Sequence, residues 1–381
     1  MTGPFLQMPR SGKKDKRIAF YGFREGDGGR NNVLINLING FSDEGIRIDL
    51  LLNSSPKEES HLFNNNVRIV NLNAGAFLKK VYALTRYLDR EKPDFLICDS
   101  NLEKNNRIAV FAKIFGRKNI RIMFRLGVTL TELMKQRNFA NRFFFQRSIK
   151  ATFAFADLIV ANSQGVALDV HRITGIPLEK IQVLGNTTVT GALLEKAEEP
   201  VSHPWFTPGS PPVILGVGRL RRKNDFPTLL RAFAQVREHK EARLLILGEG
   251  KERKMLVGLA EELGIRDAVD LPGFAPNPFA YMRRTDLFVL SSRFEGSPNS
   301  LIEALAVGTP VVATDCHSGP REILQEGEYG PLVPVGDVDA MAAAILETLE
   351  KPLDCDFLKR AAEPYHAETC ARAYLDTMGM G

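Results

Sequence analysis

The sequence predicts an α/β protein of two doubly wound domains, each a parallel sheet layered with helices, facing one another across a cleft. Three observations carry that expectation. Short strand-type runs alternate with helix-type runs along the whole chain, the pattern of βαβ units and parallel sheets. Several strand runs are apolar throughout, as in "PVILGVG" at 212–218, which implies burial on both sheet faces. The 381 residues suffice for two cores at about 100–200 residues per domain.

The chain opens on "MTGPFLQMPRSGKKDKR", which has charges but no apolar h-region and so is not a signal peptide; residues 1–16 are expected to be a disordered basic lead. An N-terminal, acceptor-side domain is expected over 17–197. "RIAFYG" (17–22) is its first strand. A Gly-rich turn leads into the helix "NNVLINLINGFSDEG" (31–45), apolar at i, i+3 and i+4 and stopped by Gly45. "RIDLLL", "VRIV", "DFLICD", "IRIMFR" and "DLIVANS" follow as strands. "EEPVSHPWFTPGSPP" (198–212), rich in Pro, Gly and Ser, is the expected linker. The second domain, 213–362, alternates "PVILGVG", "FPTLLRAFAQVREH", "ARLLILG", "KMLVGLAEELG", "AVDLPG", "DLFVLSS", "SLIEALAVG" and "TPVVATD". Residues 363–381 form a last helical segment and tail, with a break at Pro364. Two such domains place a ligand cleft at the carboxyl ends of their strands.

Composition narrows the function classes. With 44% hydrophobic and 25% charged residues the chain is of ordinary globular type, and no apolar run reaches the ~18 residues of a membrane span. Cys98, Cys316, Cys355 and Cys370 are scattered, with no CxxC and no His cluster, which argues for a reducing compartment and against structural zinc. Residues 1–200 hold 30 of the 50 Lys and Arg but 20 of the 45 Asp and Glu, a net of +10 that leaves −5 for the remainder. A basic half suggests an anionic partner. Within that half "KQRNFANRFFFQRSIKATFAF" (135–155) mixes basic and aromatic residues and has Phe143, Phe144 and Phe145 in a row, which fan over about 200° of a helix, so at least one faces away from the core. With Arg137, Arg142, Arg147 and Lys150 this reads equally as a partly buried helix with solvated charges or as a surface for an anionic bilayer. No nucleic-acid recognition motif is present.

The stretch "RFEGSPNSLIEALAVGTPVVATD" (293–315) carries the chemistry. Strand "DLFVLSS" feeds the loop "RFEG". Ser297 suits an N-cap, Pro298 the first helical position, and Gly308 with Pro310 the stop. Glu295 then lies at the cleft mouth and Glu303 inside the helix. Between them the N–H groups around Ser297, Asn299 and Ser300 form an anion site at a helix N-terminus. Carboxylates accept from paired sugar hydroxyls, so a phosphate flanked by hydroxyl-bearing groups fits, as in a nucleotide sugar. Taken alone, an E-x7-E pair is more often one solvated helix residue and one loop charge.

"FEGSPNSLIEALAVGTPVVATD", the preceding "LPGFAPNPFAYMRRTDLFVLSS" and the following "SGPREIL" and "YGPLVPVGDVDAMAAAI" resemble the GT4-type retaining glycosyltransferases of the GT-B fold, strongly over about 212–350 and more weakly over 17–190. The resemblance implies a C-terminal helix crossing back to the first domain. It implies that Glu303 holds the ribose hydroxyls of the donor and Glu295 the hydroxyls of the transferred sugar. Gly296, Ser297, Pro298, Asn299, Ser300, Leu301 and Gly218 would bind the donor, with the N–H groups near Ser297 to Ser300 meeting the sugar or its diphosphate. In "GVGRLRRKND" the family places an Arg and a Lys against the diphosphate. Arg219 matches; the Lys position falls on Asn224, with Lys223 one residue earlier and Arg222 a further candidate. In "YGFREGDGGRNNVL" Gly29 matches a family Gly near the diphosphate, while Arg30, Asn31 and Asn32 depart from the pattern. The family's His after the fifth strand is missing from "MFRLGVTLTE", where Arg125 and Thr129 stand instead; none of the six histidines replaces it. His171 reads as an ordinary helix residue and His317 is near the site only in sequence.

The resulting expectation is a cytoplasmic enzyme, peripheral at the inner face of the membrane. It would transfer a sugar from a UDP-linked donor to a lipid-linked, polysaccharide or glycolipid acceptor, with retention and without metal or other cofactor. The alternatives are a nucleotide-sugar epimerase of the same architecture and a non-catalytic nucleotide-sugar or glycan-binding relative. A dehydrogenase is disfavoured because the first βα turn lacks G-x-G-x-x-G.

Overall fold

The computed structural model describes residues 16–23, 29–53, 59–99, 103–116, 119–135 and 137–381. The strands of the first lobe are β1 (Arg17–Tyr21), β2 (Arg47–Leu52), β3 (Val67–Asn71), β4 (Phe95–Asp99), β5 (Arg121–Leu126), β6 (Leu158–Ala161) and β7 (Ile181–Val183). They pair in parallel in the order β3-β2-β1-β4-β5-β6-β7. The second lobe contains β8 (Val213–Val217), β9 (Arg243–Leu247), β10 (Val269–Gly273), β11 (Leu287–Leu290), β12 (Val311–Thr314) and β13 (Leu332–Val333). Its order is β10-β9-β8-β11-β12-β13, again parallel. Each order reverses once, between β1 and β4 and between β8 and β11, which opens a crevice at the strand ends. β7 and β13, at three and two residues, are too short to show as apolar runs in the sequence and are additions to the expected strands.

Both sheets are covered on both faces, as their apolar strands require. One face of the first sheet carries the helices Phe77–Glu91, Glu103–Phe115, Phe139–Phe153 and Gln164–Thr174, with Leu84, Leu88, Ile108, Ile149 and Val170 in its core. The other face carries Gly29–Asp43 and the C-terminal helix Ala367–Thr377. Ala371, Tyr374 and Leu375 of that last helix join Leu37, Ile38 and Phe41 in one core, so the chain ends back on the lobe where it began. Gly40 makes this possible: a Cβ there would meet the Ala371 Cβ at 2.9 Å. The segment before it stops at Arg360 and makes only a single 3-10 turn at Glu363–Tyr365, where Pro364 cannot continue a helix.

The chain leaves the first lobe earlier than the expected boundary at 197. Helix Gly191–Ala197 packs on Pro278–Arg284, and Leu193 and Ala197 are buried in the core of the second lobe. Its apolar residues find their partners there, while 198–212 runs on without helix or strand. Outgoing and returning crossings meet: the Thr188 and Val189 N–H groups donate to the Tyr365 carbonyl (3.1 and 3.0 Å), and the Ala367 N–H donates to the Val189 carbonyl (2.8 Å).

Candidate active site

A cavity of about 1040 Å³ lies between the lobes. Its walls are residues just beyond β5, β6 and β7 on one side and beyond β8, β9 and β11 on the other, so both crevices open into it.

The loop after β8 is set by backbone contacts. Gly248 has φ +142° and a Cβ there would sit 2.0 Å from the Gly218 carbonyl oxygen, so the backbones after β8 and β9 touch. The Gly218 N–H donates to the Leu247 carbonyl (3.0 Å). Asn224 Nδ2 donates to the Arg219 carbonyl (2.8 Å) and closes the loop. The residue at the family's Lys position therefore has a local structural role. Lys223 does reach the site: its Nζ lies 2.6 Å from Glu295 Oε2. Ser292 Oγ donates to Glu295 Oε1 (2.8 Å), so both carboxylate oxygens are held. Arg219 lines the cavity and is exposed. Arg221 lines it too, whereas Arg222 does not.

Beyond β11 the helix spans Asn299–Ala306. Its cap differs from the expected one. Pro298, with extended ψ 105°, occupies the cap position, and the Ser297 hydroxyl is buried without a partner instead of capping. The helix stops at Ala306, two residues short of Gly308, whose φ of +79° ends the turn. Gly296, Ser297, Pro298, Asn299, Ser300 and Glu303 line the cavity, but Leu301 does not: its side chain is fully buried in the second-lobe core, as an apolar residue on the inner face of this helix must be. Glu303 projects from the fifth helical residue, and burial pushes its carboxyl up to about 7. Gly296 makes a second close approach, because a Cβ there would lie 2.4 Å from the Gly127 carbonyl oxygen of the facing lobe.

The facing wall consists of Asn32, Val33, Arg125, Gly127, Val128, Asn162 and Asn186. Arg125 ends β5 and is 2% exposed. Its Nε donates to the Tyr374 hydroxyl (3.1 Å), its Nη2 to Asn186 Oδ1 (2.8 Å), and Nη1 lies 3.5 Å from Asp99 Oδ1. Thr129 is buried. Gly29 starts the helix Gly29–Asp43, but residues 24–28, with the rest of the Gly-rich turn, lie outside the described residues; Asn32 and Val33 in the next turn reach the cavity. His171 is an exposed helix residue bonded through Nδ1 to the Ile176 carbonyl (2.7 Å), and His317 is exposed and off the cavity.

Sequence reasoning missed Arg221, Phe274, Asn162 and Asn186. Phe274, 76% exposed on the loop after β10, offers a flat apolar surface at the rim. Asn162 and Asn186 follow the ends of β6 and β7, and recognising "IQV" as a strand would have placed "GNTT" at the cleft. Five cationic side chains line the cavity (Arg125, Lys196, Arg219, Arg221, Lys223) against three carboxylates (Glu249, Glu295, Glu303), a balance suited to an anionic ligand with hydroxyl groups.

Residues 199–364 match the family model of glycosyl transferases group 1, and residues 27–190 match that of glycosyltransferase family 4. The chain is 33% identical, over 72% of its length and 71% of the relative's, to the N-acetylgalactosamine-N,N'-diacetylbacillosaminyl-diphospho-undecaprenol 4-alpha-N-acetylgalactosaminyltransferase of Campylobacter jejuni. The chain belongs to the group 1 glycosyltransferases. Over 84% of its length this glycosyltransferase is also 29% identical to the lipopolysaccharide core biosynthesis glycosyltransferase LpsE of Rhizobium meliloti, covering 85% of that protein. Its fold is GT-B: the crystal structure of Anabaena Alr3699/HepE in complex with UDP superposes with a TM-score of 0.75 at 18% identity, covering 96% of this chain and 99% of that one. The glycosyltransferase is a transferase of glycan biosynthesis, and the epimerase and non-catalytic readings fall away. The match to glycosyltransferase family 4 ends at 190, where the chain crosses between the lobes, and the match to group 1 begins at 199.

Proposed function

We propose that this glycosyltransferase moves a sugar from a UDP-linked donor to a lipid-linked or polysaccharide acceptor with retention of configuration. The observation that carries the reading is the ring of groups around the helix start: Glu295, Glu303 and the cations Arg219, Arg221 and Lys223 on one cavity. The ribose hydroxyls sit on Glu303 and the transferred sugar on Glu295, with the diphosphate between them against the Gly296–Ser300 backbone and the three cations. Charge that develops on the leaving diphosphate is stabilised by N–H donors and guanidinium groups already in place, and no metal is required in this scheme. Phe274 supplies a stacking surface at the rim.

The composition of the wall that faces the proposed donor supports retention. Among the described residues, the first-lobe wall of the cavity carries no carboxylate and no His to act as base. An acceptor hydroxyl attacking on the face from which the diphosphate departs passes its proton to a leaving phosphate oxygen. The diphospho-undecaprenol in the name of the Campylobacter relative supports a lipid-linked acceptor. The test is transfer from a panel of nucleotide sugars to polyprenyl-diphosphate sugars, with the anomeric configuration of the product read by NMR. An α-donor is expected to give an α-linked product, and a β-linked product rules out retention.

A bilayer-facing surface fits the same reading. Among the described residues no helix is long and apolar enough to cross a membrane. The helices Phe77–Glu91, Glu103–Phe115 and Phe139–Phe153 pack side by side on the outside of the first lobe. Leu78, Tyr82, Ile114, Phe115, Phe143 and Phe144 stand exposed on them, while Phe145 is buried. Lys79, Arg86, Arg142, Arg147 and Lys150 are exposed among them. Apolar side chains flanked by cations suit an anionic bilayer. Flotation with phosphatidylglycerol vesicles at low salt is expected to retain the protein, and Phe143→Ser with Phe144→Ser to release it. An unbound wild type refutes the surface.

A further inference from the structure

The proposed donor machinery lies on the second lobe, and two near neighbours in the first lobe reach it: Asn186, and Thr188, whose hydroxyl donates to Asn299 Oδ1 at 3.3 Å. Asn186 follows β7 and is 6% exposed. Its Oδ1 accepts from Arg125 Nη2 (2.8 Å), which fixes which end of the amide points where. Its Nδ2 donates across the cleft to Asn299 Oδ1 (2.8 Å) and to the Ser297 carbonyl (3.3 Å). Both acceptors belong to the turn that opens the helix Asn299–Ala306. Arg125 in turn donates to Tyr374 of the returning C-terminal helix. The neighbouring Thr187 anchors the segment: its hydroxyl donates to the Val33 carbonyl and its own carbonyl accepts from Asn36 Nδ2 (2.5 and 2.8 Å). The segment is thus held on one side and aims the Asn186 amide at the other lobe, where it makes the shorter of the two bonds to Asn299 Oδ1 (2.8 Å against 3.3 Å from Thr188).

We propose that Asn186 is a positioning residue: through Asn299 and the Ser297 carbonyl it holds the donor-side helix start in register with the first lobe and so sets the closed spacing of the two lobes. This rests on the donor site proposed at Gly296–Glu303. The spacing has little tolerance, since Gly296 already meets the Gly127 carbonyl without room for a methyl group. Asn186 is suited to the task because an amide both accepts from a cation and donates to two oxygens, which neither Asp nor Leu of similar size can do.

Asn186→Asp separates positioning from folding. The aspartate keeps, and strengthens, the bond from Arg125. It turns an acceptor toward Ser297 O, a backbone oxygen that cannot flip to accommodate it. UDP, GDP and ADP are titrated calorimetrically against the wild type, Asn186→Asp, Asn186→Ala, Thr187→Val and Glu303→Gln, with melting temperatures in parallel. Asn186→Asp is expected to melt near the wild type but to bind the preferred nucleotide roughly tenfold or more weakly, the size of one lost buried hydrogen bond. It also lowers kcat. Thr187→Val, which removes the anchor on the Val33 carbonyl but leaves both Asn186 bonds to the second lobe in place, lowers the melting temperature and costs less nucleotide affinity than Asn186→Ala. Wild-type affinity and turnover in Asn186→Asp, or equal affinity losses in Asn186→Ala and Thr187→Val, overturn the inference. A normal Glu303→Gln instead overturns the donor site on which it rests.

Discussion

Glu303 is a carboxyl whose buried environment disfavours its ionised form. Burial raises it from 4.5 to about 7. The sign of its effect on stability follows: a raised carboxyl favours the folded state fully below pH 4.5, and that contribution is lost as pH rises through about 7. The wild type is therefore expected to lose roughly 1–3 kcal/mol relative to Glu303→Gln across that window, measured by urea unfolding at several pH values. In the proposed site, ribose hydroxyls would donate to the ionised form, so ligand binding is expected to run the other way. Nucleotide affinity is expected to rise from pH 6 to pH 8 in the wild type and to be flatter in Glu303→Gln; parallel profiles would remove Glu303 from the site. Both glutamates were legible in the sequence because their spacing and flanks form a motif. Asn186 was not, because its significance comes from partners far away in the chain, at Arg125 and Asn299.

At the scale of elements, two turns do most of the positioning. The loop Gly218–Asn224 is closed by Asn224 on the Arg219 carbonyl, and the helix start is pressed against Gly127 through Gly296. Gly296→Ala is expected to cut kcat/KM by about 100-fold or more, since a Cβ placed 2.4 Å from a backbone oxygen forces the lobes apart. Its melting temperature should stay near the wild type, because neither core is touched; wild-type kinetics would show that the lobes need not approach this closely. Long strands were readable from apolar runs, and the helix starting near Asn31 from its apolar spacing and its stop at Gly45. The cap of Asn299–Ala306 was not: Ser297 has the chemistry of an N-cap, yet the Ser297 carbonyl is engaged by Asn186 and the chain turns one residue later. Local propensity yielded to a contact between lobes.

For the whole molecule, the returning helix ties the end of the chain to the core of the first lobe. Tyr374 is fully buried between Phe41 and Arg125, so Tyr374→Ala is expected to cost about 3–5 kcal/mol by chemical denaturation. A loss below 1 kcal/mol would mean the helix is dispensable to the first lobe. The alternation of strands and helices announced this architecture, and the family resemblance implied the crossing. The exit near 190 was harder to see, because the helix Gly191–Ala197 has apolar residues that suit either lobe and only packing assigns them to the second. The central claim is that the cavity between the lobes is the donor site of a glycosyltransferase. Its most direct test is release of nucleoside diphosphate from the preferred nucleotide sugar, in the presence of a polyprenyl-diphosphate acceptor, by the wild type and by the double variant Arg219→Ala Glu303→Ala. The account predicts turnover by the wild type and a loss of at least about 1000-fold in a double variant that remains folded. Turnover by the double variant at the wild-type rate would contradict it.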